Sequence, residues 1–390
     1  MRGRASRLAA VCGIGLALVA CNGGDMNFSQ YPGFAAHFAA NPPAMTPASA
    51  AERELMTRYR PRFYLPPGHA GPVSFYDDYI AQGYLLDGDG NRMSDAVDRS
   101  LLNAHKDDPR VVFVHEPEAA PAQAVVFGRV DRVTAPFPAA DGARNEPLTF
   151  LTYHAVFRHS GLPAGVPAWQ AAALDMVADL DDWHQLDHYT AASLVLGADE
   201  KPMALMLQQH NYQRTYLFGA ELDLPADGRV GIDIAIRSNE LYPHDPERRR
   251  RPAVRFPEPD SVRYLMGFGA APMDSADDIT HGAVEADYEL AFLPPDDAFY
   301  TFKGFLGERR SLPGRDGPPG ADYNTLPELK PLERQLTVSY WRAGNAGDLE
   351  RFEAALASDG WYVAFARAQA AVFWRNWQCL RELVRTCRLD

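Results

Sequence analysis

The sequence predicts a mainly β protein, an antiparallel β-sandwich followed by a helical C-terminal part, and three observations carry that expectation. Short runs rich in β-branched and aromatic residues recur between residues 55 and 244, and each has the length of a strand. Turn dipeptides separate them, and no regular helical pattern intervenes, which favours a sandwich over a doubly wound sheet. Beyond about residue 336 the apolar spacing changes to that of helices.

In order along the chain, residues 1–20 combine a basic start (Arg2, Arg4, Arg7) with an apolar stretch too short to span a bilayer. They read as a secretory signal. Leu18-Val19-Ala20-Cys21 looks like a bacterial lipobox, so Cys21 is expected to become the lipidated first residue of the mature chain. Acyl chains such as palmitate would hold it at a membrane, each buried methylene contributing about 0.8 kcal/mol. Asn22 follows in place of the aspartate that often retains such proteins on the inner membrane. The expected location is therefore the bacterial cell envelope, on the outer membrane.

Residues 21–52, small and proline-rich (Asn41-Pro42-Pro43, Met45-Thr46-Pro47), suit a flexible tether. Residues 53–300 form the expected sandwich domain. Its strands are Arg62-Phe63-Tyr64-Leu65, 110–115, Ala124-Val125-Val126-Phe127, 150–157, Ser193-Leu194-Val195-Leu196, 203–208 and 230–236, with Asp87-Gly88-Asp89-Gly90, Asp141-Gly142 and Asp227-Gly228 as breakers. Residues 167–180 suit one short helix. Residues 301–335, dense in glycine and proline, read as an exposed loop, and 336–390 as helices, with Leu349, Phe352 and Leu356 on one face and Phe365, Phe373, Trp374, Trp377 and Leu380 on a later one.

Charge narrows the partners. The formal net charge is −13, and losing three signal arginines takes it to −16, which argues against nucleic acid. Cys379 and Cys387 would meet an oxidising compartment. On one continuous helix they would sit about 12 Å apart, beyond the roughly 4.4–6.8 Å a disulfide needs, so pairing requires the helix to end between them.

The chemistry concentrates at Asp181-Asp182-Trp183-His184-Gln185-Leu186-Asp187-His188, three carboxylates and two imidazoles in eight residues. Clusters of this kind make metal or acid/base sites. On a strand, Asp182, His184 and His188 project from one face and Trp183, Gln185 and Asp187 from the other. The bland alternative is a hydrogen-bonded pair at a strand end, with Trp183 as a core anchor. His154 and His210 are further candidates for the same cleft, against the reading of each as a satisfied buried histidine, and His244 could close the site or cap a turn. Asp87-Gly88-Asp89-Gly90-Asn91 imitates a calcium loop, but Arg92 stands where that loop needs glycine, so a hairpin turn is the better reading. Arg248 to Arg251 form a basic run, either solvated or touching anionic headgroups. The chain has neither His-Glu-x-x-His nor Gly-x-Ser-x-Gly, and no nucleotide-cofactor motif is evident.

The succession of Leu55-Met56-Thr57-Arg58-Tyr59-Arg60-Pro61, Leu151-Thr152-Tyr153-His154, Asp182-Trp183-His184-Gln185 and Leu207-Gln208-Gln209-His210 resembles the vacuolar protein sorting-associated protein 62 family. Those proteins share a Tyr-x-Pro strand, an Asp-Trp-Glu-His motif and a Ser-Gln-His motif. More distantly the chain is similar to the necrosis-inducing proteins of plant pathogens. The resemblance implies a β-sandwich whose Asp-Trp-Glu strand lines a cleft; in the necrosis-inducing branch this cleft holds a divalent metal and engages glycolipid headgroups. Carried over, Asp182 and His210 match motif positions, while His184 replaces a glutamate and Gln208 a serine. The imidazole is a softer, neutral ligand, shifting the expected metal from calcium toward zinc. The preceding Gly-His-Arg-His is absent, which counts against cytolytic activity.

The sequence thus leads to a lipid-anchored envelope protein that binds a glycan or lipid headgroup, with a divalent metal (zinc or calcium) at Asp182, His184, His210 and His154. The competing readings are a metal-dependent hydrolase using the same cleft and a non-catalytic envelope scaffold.

Overall fold

A computed structural model describes residues 46–116, 123–137, 144–159, 186–187, 190–209, 212–218, 222–246 and 282–307. Twelve strands occur among them. In chain order they are β1 (Arg62–Leu65), β2 (Gly83–Leu86), β3 (Val112–His115), β4 (Val125–Phe137), β5 (Arg144–Ala155), β6 (Ala191–Leu196), β7 (Pro202–Gln209), β8 (Tyr212–Leu217), β9 (Gly231–Ile234), β10 (Leu241–Pro243), β11 (Val284–Glu285) and β12 (Glu289–Phe292). They form a six-stranded sheet in the order β12-β4-β5-β6-β7-β8, a four-stranded sheet in the order β10-β9-β1-β11, and the ribbon β2-β3. The mainly β class is as the sequence predicts. Residues 167–180 and the C-terminal segment expected to be helical lie outside the described residues.

The alternation of side chains explains how the sheets stack. On one face of the large sheet, Val126, Val130, Leu151, Tyr153, Leu194, Leu205 and Leu207 are buried against Phe63, Ile232, Ile234 and Leu241 of the small sheet. Each strand contributes every second residue to this layer, the period a half-buried strand dictates. On the other face, Phe127 packs with Phe75, Tyr79, Phe113, Phe299 and Phe302. Since both faces are covered, β6 is buried at all six positions, which is why five of its six residues are apolar. Polar residues on the second face satisfy one another: Arg129 Nε donates to Asp131 at 2.8 Å, and the Thr152 and Ser193 hydroxyls lie 2.8 Å apart across the β5–β6 register.

Most strand pairs are antiparallel, as the sequence predicts, and two are parallel. β1 runs parallel to β9 and β12 parallel to β4. A parallel pair needs a long crossover. Here five of the six strands of the large sheet, β4 to β8, lie in the chain between β1 and β9, so distant strands meet in the orientation that tight hairpins cannot produce.

Among the described residues three short α-helices frame the sheets, α1 (Ala50–Arg58), α2 (Arg99–Ala104) and α3 (Ala298–Thr301), with a π-helical turn at Phe75–Tyr79 that runs into a 3-10 turn at Ile80–Gln82. Ser49 and Glu52 make a capping box, the Ser49 hydroxyl accepting from Glu52 N and the Glu52 carboxylate from Ser49 N at 2.8 Å. Residues 50–52, within the stretch assigned to the tether, are therefore helical, and Met56 is seated beside Gly128, where a Cβ would lie 3.1 Å from the Met56 sulfur. Residues 302–306 fall within the segment composition assigned to a loop, yet Phe302, Phe305 and Leu306 are buried. Phe113 N donates to Phe305 O at 2.8 Å, extending the ribbon by one backbone partner. Asp87 closes the turn after β2 as a hairpin: its carboxylate accepts from Asp89 N and Asn91 N at 2.9 and 2.8 Å. These bonds hold the Asp87 carboxyl below its ordinary range.

Candidate functional site

The site is built where β5 ends. Phe157 and Asp187 exchange both backbone hydrogen bonds, at 2.7 and 2.8 Å, so the tail of the acidic motif is clamped beside the continuation of β5. The register continues across the sheet: His154 pairs with Ala191, and Ala192 with Leu207. Gln209 in turn faces Tyr212. The connection between β7 and β8 contains only His210 and Asn211. Two motifs more than twenty residues apart in sequence therefore converge on one end of one sheet.

The small sheet closes this end through Asn239, in the turn between β9 and β10. Its amide nitrogen donates to the Asp187 carboxylate at 2.8 Å and to the His159 carbonyl at 2.6 Å, while its oxygen lies 2.9 Å from His69 Nε2. Asn239 has φ of 56°, the left-handed region, which asparagine tolerates better than other residues with a Cβ. Because the amide oxygen can only accept, His69 Nε2 carries its proton, and Nδ1 accepts from Gly71 N at 2.9 Å. That fixes a neutral tautomer. Burial lowers the His69 pKa, against a smaller opposing effect of Asn239. Thr190 completes the set, its hydroxyl donating to Asp187 at 3.2 Å.

A second cluster lies toward the other face. The Arg158 guanidinium holds Asp78 through Nε at 3.1 Å and through an Nη contact, and Gln82 donates to the same carboxylate at 2.9 Å. Nearby, His115 lies with its ring centroid 4.2 Å from that of Tyr79. Burial first, and then the Arg158 charge, push the His115 pKa down to about 4. It is a neutral imidazole at pH 7.

Of the residues singled out in the sequence, Asp182, His184 and His210 lie outside the described residues, as do Trp183, His188, Cys21, Cys379, Cys387 and the Arg248 to Arg251 run. His154 is buried on the large sheet's second face, edge-on to Phe299 and Tyr300 with centroids 5.8 and 5.5 Å away. Among the described residues no three His, Cys, Asp or Glu side chains are arranged to hold a metal ion, and no helix is long and apolar enough to cross a membrane. Sequence reasoning passed over Asn239, His69 and Arg158. Only the acidic motif itself, through Asp187, pointed to where Asn239 and His69 meet.

Fold and cluster together define a mainly β protein with a polar assembly at one end of its large sheet. No family model matches the chain, and no curated protein does. Among solved structures it is similar to NLPPya in complex with glucosamine, at 15% identity over 53% of this chain and 73% of that one, with a TM-score of 0.26. A likeness at that level carries no argument.

Proposed function

We propose that this chain is a lipid-anchored envelope protein that binds a polar ligand, a glycan or lipid headgroup, at the end of the large sheet. In this reading a divalent metal held by Asp182, His184, His210 and His154 completes the site. The observation that supports this most is that Asp187 of the acidic motif, held by the Asn239–His69 clamp, lies at the same end of the large sheet as Gln209, where β7 ends. Left-handed backbone and a saturated buried amide are the kind of constraint a fold maintains where a ligand must be met in one geometry. Anchoring through Cys21 would hold the protein at a membrane surface.

The test is metal content and thermal melting of the protein carrying Cys21→Ser, beside an Asp182→Ala/His184→Ala variant, with and without chelator. We expect about one divalent ion per chain that the variant lacks, a Tm lowered by chelator, and saturable retention on a glycan array or on glycolipid vesicles. Absence of metal together with a Tm indifferent to chelator and to added zinc or calcium would reject the metal-assisted site. Absence of glycan and headgroup binding as well would leave the scaffold reading.

A further inference from the structure

On the outer face of the small sheet, remote from the cluster above, β9 and β10 bring Asp233 and His244 together. His244 Nδ1 lies 2.6 Å from Asp233 Oδ1, and Asp233 Oδ2 accepts from Asp245 N at 3.2 Å. The carboxylate is 2% exposed, whereas the imidazole keeps 25% exposure. With the carboxylate as acceptor, Nδ1 carries the proton and Nε2 the lone pair. Nε2 makes no hydrogen bond to the described residues. The ring is stacked on Tyr64 of β1, centroids 3.7 Å apart and planes 9° from parallel.

The pair has a seat that only glycine provides. His244 N donates to Gly231 O at 3.0 Å, and a Cβ at Gly231 would lie 2.7 Å from His244 Cβ and 3.2 Å from the Tyr64 ring. Any side chain there would push the imidazole off its stack. Carboxylate, aromatic plate and glycine seat thus fix one ring orientation with a lone pair turned outward, which is the geometry of a general base oriented by a third group.

We propose that His244 is a general base that activates water toward a neutral carboxylic ester, with Asp233 and Tyr64 as positioning residues. The ester class follows from the neighbours. Phosphoryl transfer needs unbalanced cations, and Arg62 on β1 and Arg229 just before β9 are held by Asp227 and Glu285. Glycoside hydrolysis needs two carboxyl groups, one of them protonated, where this site offers an imidazole. In the step, Nε2 takes a proton from water as its oxygen bonds to the acyl carbon. The carbon–oxygen bond to the leaving alcohol then breaks, and the imidazolium returns the proton to that alcohol. Asp233 balances the transient imidazolium charge. This proposal is independent of the polar-ligand site.

The experiment is hydrolysis of p-nitrophenyl acetate by the full chain in detergent, with nitrogen-15 NMR of the wild-type histidines and melting curves for every variant. General-base catalysis contributes roughly 10²–10⁴-fold, so His244→Ala should lower kcat/KM about 100-fold and Asp233→Asn at least about 10-fold, while His105→Ala, at the end of α2, leaves the rate unchanged. Asp233→Asn should also move the pH–rate profile, which loss of packing alone would not. With the ring neutral, the spectrum should show His244 protonated at Nδ1 and bare at Nε2. An unchanged rate in folded His244→Ala, or a neutral His244 carrying its proton on Nε2, would overturn the proposal, and the second readout needs no variant to fold.

Discussion

Asn239 shows at the scale of one residue how the two sheets are locked at the site. Three polar groups from three separate segments, the Asp187 carboxylate, the His159 carbonyl and the His69 ring, converge on one amide held at φ of 56°. Truncation to alanine leaves a buried carboxylate short of a donor and keeps the backbone in a region alanine disfavours. The expected cost is about 2–4 kcal/mol, from lost hydrogen bonds to a charged group and from backbone strain. Urea denaturation of Asn239→Ala reads it, and Asn239→Gly, which relieves the strain alone, should recover about 1 kcal/mol. Nothing in the sequence around Ser238-Asn239-Glu240 marks this position, since its importance depends on partners 52, 80 and 170 residues away.

At the scale of elements, the strands that were legible are those whose composition suffices locally. Arg62–Leu65, the 150–157 run and the 203–208 run fall within strands β1, β5 and β7 and the residues just beyond them, because β-branched and aromatic residues between breakers need no further instruction. β11 has two residues and β10 three, too few for any period to show, and they exist because a neighbouring edge supplies hydrogen bonds. Helix α1 sat in a segment that proline suggested was open, yet Ser49 and Glu52 have the spacing of a capping box, a signal present in the sequence. Ser49→Ala should cost about 1 kcal/mol, the usual worth of such a cap, measured as a shift of the denaturation midpoint with unchanged slope. A larger loss would mean that the Arg132–Glu52 pair depends on the cap as well.

For the whole molecule, the half-buried histidines link stability to pH. His115 titrates near 4 when folded and near its ordinary 6.5 when unfolded, and the His69 pKa is also lowered. The unfolded chain therefore binds more protons in this window, so their contribution is fully present above pH 6.5 and is lost as pH falls toward 4. Solvent screening of the partly exposed His115 limits its share to about 1–2 kcal/mol. Tm should fall between pH 6.5 and 4, and His115→Gln should flatten that fall. An equally steep decline in the variant would assign the acid sensitivity to other groups.

What the sequence by itself determined is the β class, the strands with strong local composition, the turn at Asp87, and a concentration of carboxylates and imidazoles around residue 187. These depend on neighbours in the chain, and neighbours are what a sequence displays. Only the tertiary structure decided that β1 lies parallel to β9, that Asp187 is clamped by Asn239 and His69, that His154 faces the aromatic layer of Phe299 and Tyr300, and that Asp233 orients His244 over Gly231. Each of these joins residues brought together by burial and strand register. Their energies come from excluding water and matching polar groups across the fold, and no spacing along the chain encodes them.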